Sequence, residues 1–96
     1  MVKLQSFGPS SNADKKYMAV LLKPDGRTKT IHFGAKGMDD YTKTGDVQQK
    51  SRYIERHKDK ENWNDPLTAG FWAKHILWNK TTVQASLAET KRQYNL

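Results

Sequence analysis

Three histidines, His32, His57 and His75, and the adjacent carboxylates Asp39 and Asp40 are the residues of this chain best suited to hold a metal or move a proton. A metal site needs ligands at spacings that converge, such as two histidines four apart on one helix. No pair has that spacing here, and no HExxH occurs. The chain has no cysteine, which excludes a thiolate zinc site, a disulfide framework and a cysteine nucleophile. The plainer reading places His32 on the outer face of a strand and His75 beside Lys74 on the wet edge of a helix. Asp39-Asp40 followed by Asp46 lacks the alternating acids, central glycine and closing glutamate of a calcium loop; an Asx turn made by one Asp accounts for it. Gly34 and Gly37 flank Lys36 after a strand, which raises phosphate binding. There is no GxxxxGK[ST], however, and glycines at unusual φ explain the pattern. Ser51 and Ser86 stand in no nucleophile elbow, and Glu55, Glu61 and Glu89 read as helix-surface acids. No catalytic residue, metal or cofactor is therefore assigned, and the chain is not expected to be an enzyme.

Two contrasting stretches carry the remaining chemistry. The first is basic: Lys50, Arg52, Arg56, Lys58 and Lys60 could contact phosphates, with Tyr53 among them as a ring able to stack a base. Glu55, Asp59 and Glu61 interrupt the charge, and Lys58 and Arg56 could simply pair with acids one turn away. The second is aromatic: all three tryptophans fall between Trp63 and Trp78. Trp63, Phe71, Trp72 and Trp78 must build either the core or a docking surface.

The elements that position these residues follow from local pattern. Residues 1–15 read as an N-terminal arm, pinned by Leu4 and Phe7, ahead of a single domain over 16–96. Lys16 to Lys23 has the content of a strand. Pro24-Asp25-Gly26-Arg27 is a turn, and Thr28 to Phe33 is the returning strand, with Ile31 and Phe33 facing inward. Residues 34–45 form a loop anchored by Met38 and Tyr41. Asp46 with Gln49 opens a helix running to about Lys60, with a thin apolar stripe at Val47, Ser51 and Ile54. Asp65-Pro66 starts a second, nearly all-apolar helix over Leu67–Trp78, and Thr81 with Gln84 starts a third, whose inner face is Val83, Leu87 and Tyr94. The fold class is α+β: a small antiparallel hairpin or sheet followed by three helices. Phe71, Trp72, Ile76, Leu87 and Ile31 are the expected core.

Composition limits the partners. Ninety-six residues suit one domain. The net charge of +7 favours anionic surfaces, acidic proteins or nucleic acid through salt-sensitive attraction. The cations are scattered and form no tail. No apolar run is long enough to span a bilayer, and the first residues show no apolar leader, so the chain is not expected to be secreted.

From the second strand onward the sequence resembles a family of small uncharacterised proteins encoded by large DNA viruses, such as those of algae and amoebae. The residues that carry the likeness are FGAKGMDDYT at 33–42, Tyr53-Ile54 with Arg56-His57, Glu61-Asn62-Trp63, Thr68-Ala69-Gly70-Phe71-Trp72 and Leu77-Trp78. The resemblance implies a viral origin, in the virion or the host cytoplasm, and brings no catalytic residue with it. It implies a non-enzymatic virion structural or assembly protein, a minor capsid or internal packing component, that docks onto other viral structural proteins. A sequence-independent nucleic-acid-binding protein is the alternative. In the docking reading Tyr53, Arg56, His57, Trp63, Phe71, Trp72 and Trp78 form either a docking surface or a structural knot, in which Arg56 or His57 reaches Asp39, Asp40 or Thr42. In the alternative, Lys50, Arg52, Arg56, Lys58 and Lys60 contact phosphates.

Overall fold

The turn at Pro24–Arg27 closes as its residues dictate. Gly26 takes φ +84°, its amide donates to the Lys23 carbonyl at 3.0 Å, and the Lys23 amide donates to the Arg27 carbonyl at 2.8 Å. It joins β2 (Lys15–Leu22) to β3 (Thr28–Ala35) in regular antiparallel register, with Ala19 opposite Ile31 and Tyr17 opposite Phe33. The computed structural model, which describes residues 1–96, adds a third strand where an arm is expected. β1 (Lys3–Pro9) pairs antiparallel with β2, giving the order β1-β2-β3. An irregularity between Leu4 and Ser6 lets both Leu4 and Phe7 pack against the core although they are an odd three positions apart.

Four helices follow. α1 (Tyr41–Thr44) is a single turn inside the segment expected to be loop. It starts because Asp40 accepts from the Thr42 amide at 2.8 Å, and it ends at Gly45 with φ +63°. α2 (Val47–His57) is capped by Asp46, whose carboxylate accepts from the amides of Gln48 and Gln49. Its inner face is Tyr53 and Ile54, whereas Val47 and Ser51 are exposed, so the expected stripe is rotated. It stops at His57, short of Lys60.

The aromatic segment departs furthest from expectation. Asp65 caps a turn by accepting from the Leu67 amide at 3.0 Å, and the helix starts only after Thr68, whose hydroxyl accepts from the Phe71 amide. α3 (Ala69–Trp72) then widens into a π-helical stretch, Ala73–Leu77. Wide turns of this kind occur mostly as single insertions, often at functional sites. α4 (Val83–Tyr94) is capped by Thr82 rather than Thr81.

The core is an aromatic seam between sheet and helices. Phe33 lies near Phe7, Tyr17 and Trp72, with ring centroids 5.9–6.2 Å apart. Ile31, Phe71, Trp72 and Ile76 are buried as expected, together with Ala19, Leu21, Phe33, Tyr53, Leu77 and Trp78. Leu87 is only half-buried; Ser86 and Thr90 hold the inner face of α4, with the Thr90 hydroxyl donating to the Ser86 carbonyl at 2.8 Å. No helix is long and apolar enough to cross a membrane.

Candidate functional site

The residues singled out in the sequence divide between core and surface. Phe71 and Trp72 are fully buried, and Trp78 is 8% exposed, so these rings form no docking surface. Trp63 is half-buried; its indole N–H donates to Glu61 at 3.0 Å, and its carbonyl accepts from His75 Nε2 at 2.9 Å. His75 is therefore buried among Phe71 and Tyr94 and is not on a wet edge. Burial lowers its pKa below the ordinary histidine value. His32 is half-buried and hydrogen-bonds the Ser10 hydroxyl at 2.7 Å.

The basic helix divides in the same way. Lys50 turns inward: its ammonium donates to the Asn79 carbonyl at 2.7 Å and lies 4.8 Å from the Tyr41 ring centre. Lys58 pairs with Glu55 at 3.0 Å, and that hydrogen bond raises its pKa. Tyr53 is 8% exposed, with Trp78 stacked 4.6 Å and His57 4.4 Å from its ring centre, so it offers no face to a nucleobase. Arg52, Arg56 and Lys60 are exposed, and no carboxylate lies within ion-pair distance of them.

One pocket, of about 280 Å³, gathers Tyr53, Arg56, His57 and Trp78 from that set. It opens where the β2–β3 end, the loop before α1, the last turn of α2 and the π-helical stretch meet. Lys16, Gly34, Ala35, Met38, Asp39, Asp40, Ala73 and Leu77 complete its lining. Gly34 is required there: its φ is +78°, and a Cβ would come within 2.8 Å of Leu77 Cδ1. Met38 does not pack down as an anchor; it is 63% exposed at the pocket's edge, whereas Tyr41 does pack against the core.

The polar knot expected near this position exists, but other residues tie it. Asp40 is 2% exposed. One of its oxygens accepts from Lys16 on β2, and the other accepts from the Thr42 amide and hydroxyl. Lys16 also donates to the Met38 carbonyl. Every polar group of this knot is engaged, as buried groups must be. Neither Arg56 nor His57 joins it. His57 instead lies 3.8 Å from Glu61, whose carboxylate sits against Gly70 at the start of α3. The Asp40–Thr42 contact is a local Asx signal visible in sequence. The Lys16–Asp40 pair spans 24 residues and has no local signal.

Tyr53 contributes the other notable feature. Its hydroxyl has no hydrogen-bond partner in the protein, yet no unpartnered polar side-chain atom is fully buried, so that hydroxyl reaches solvent. Burial, and secondarily Glu61, raise its pKa well above that of an ordinary phenol, which keeps it a donor. No three of the chain's His, Asp and Glu side chains are grouped as metal ligands would be.

Residues 5–57, more than half of the chain, match the model of a family of unknown function (DUF5754). The chain belongs to that family. The matched range takes in Lys16, Asp40, Tyr53, Arg56 and His57, and ends before the π-helical wall of the pocket. No curated protein and no solved structure matches the chain.

Proposed function

We propose that this chain is a non-enzymatic docking domain, working as a structural or assembly component of a large DNA virus in the setting that its sequence resemblance implies. The observation that carries the docking reading is the pocket with Met38 exposed on its edge and Arg56 unpartnered beside it. At about 280 Å³ it sits at the small end of ordinary ligand sites, which run to roughly 300–1,000 Å³, and has room for one side chain. A flexible thioether at the edge of such a pocket adapts readily to a protein surface. Because the tryptophan cluster is internal, docking falls to this pocket and its surroundings.

Nucleic-acid binding is the second reading, favoured by the net charge of +7 and by the exposed, unpaired Arg52, Arg56 and Lys60. Against it, Lys50 and Lys58 are engaged within the protein, and both faces of Tyr53 are covered. A salt series of duplex-DNA binding separates the two. Docking predicts a dissociation constant of roughly 10⁻⁴ M or weaker at physiological salt. A submicromolar value, abolished by charge reversal at Arg52 and Arg56, establishes the second reading instead. Mass spectrometry of purified particles of the encoding virus should also find the chain among the particle proteins.

A further inference from the structure

We infer that the pocket receives a glutamate side chain from an acidic segment of the partner, with Arg56 and the Tyr53 hydroxyl as its hydrogen-bond donors; this rests on the docking reading. The two donors are i and i+3 on α2 and so lie one turn apart on one face. Both line the pocket, and neither has a hydrogen-bond or ion-pair partner within the protein. Neither of the pocket's own acids pairs with Arg56. Asp40 has both oxygens engaged by Lys16 and Thr42, and Asp39 lies 3.6 Å from Lys43. What remains among the lining residues is one guanidinium and one phenol without a partner in the protein, together with the apolar Ala73, Leu77 and Trp78. A guanidinium accepts a carboxylate in a two-pronged geometry, and the apolar wall suits the methylenes of a glutamate stem. A polyphosphate is a poor match, because only one unpaired cation lines the pocket. The net charge of +7 draws an acidic segment to the surface around it.

The test uses the full chain, a capped tetraglutamate peptide and a capped tetraglutamine peptide, followed by amide chemical shifts in a titration. Tetraglutamate should shift the amides of Gly34, Tyr53, Arg56 and Leu77, and tetraglutamine should not. Arg56→Gln should weaken tetraglutamate binding about tenfold, and Tyr53→Phe, which keeps the ring stack, about threefold. Arg52→Gln, one turn away and outside the pocket, should leave it within about twofold. Equal binding of the two peptides overturns the inference. So does an Arg52→Gln loss as large as that of Arg56→Gln, or shifts spread over the whole basic surface, or tighter binding of inorganic phosphate at the same amides. The salt series tells which idea has failed: weak DNA binding leaves docking standing without this pocket, and tight DNA binding removes both.

Discussion

The two sides of the pocket are built from the same kinds of residue and do opposite things. On the sheet side a charged pair and a threonine, Lys16, Asp40 and Thr42, satisfy one another and tie β2 to the start of α1. On the α2 side Arg56 and the Tyr53 hydroxyl have no partner at all. A buried polar group left unpaired costs stability, so engaged groups are read as structural. Arg56 is exposed and the Tyr53 hydroxyl is not fully buried, so a ligand can reach both. The difference between the two sides therefore separates what holds the domain together from what it can bind.

Substitutions sharpen that separation, and the core sets the upper end of the scale. Trp72→Ala removes the ring that packs on Phe7, Phe33 and Phe71, and should cost about 3–5 kcal/mol in a denaturant melt. A loss under about 1 kcal/mol would mean that this ring is not in the seam. Asp40→Asn keeps the shape but leaves Lys16 facing an amide. The expected cost is about 3 kcal/mol, the low end for breaking a buried pair, because the Lys16 side chain keeps 13% exposure. Gly34→Ala puts a Cβ at positive φ and against Leu77, for roughly 1–3 kcal/mol. If it melts like the parent, the close approach of β3 to the π-helical wall is wrong.

The buried His75 gives a pH test of the core. Its folded pKa is lowered by burial, so the unfolded chain takes up its proton more readily. The stability tied to it is therefore complete above the ordinary histidine pKa of about 6.5 and is lost as pH falls below that toward the folded value. The parent should lose melting temperature between about pH 7.5 and pH 5.5, and His75→Gln should lose less over that interval. Equal slopes for the two proteins would place His75 outside the core.

The sheet was legible because its signals are local. The Pro24–Arg27 turn, the period of two that turns Ile31 and Phe33 inward, and the Asp46 cap each lie within a few residues. β1 was hidden because its two apolar residues, Leu4 and Phe7, straddle an irregularity and break the alternation that marks a strand. The aromatic segment misled at its start: Asp65-Pro66 has the residues of a helix opening, but Asp65 closes a turn and Thr68 does the capping. Its π-helical widening leaves no residue signature. The site was half legible. Tyr53, Arg56 and His57 share a helix and so could be placed together, whereas Lys16, Asp40 and Leu77 reach them only through tertiary packing.

A single variant tests both halves of the proposal for Arg56, a binding role and no structural one. Arg56→Gln should melt within about 0.5 kcal/mol of the parent, as an unpaired surface residue does, while losing about tenfold in tetraglutamate affinity. A variant destabilised by more than about 1 kcal/mol would give Arg56 a structural role, and one that binds the peptide as the parent does would remove Arg56 from the binding site.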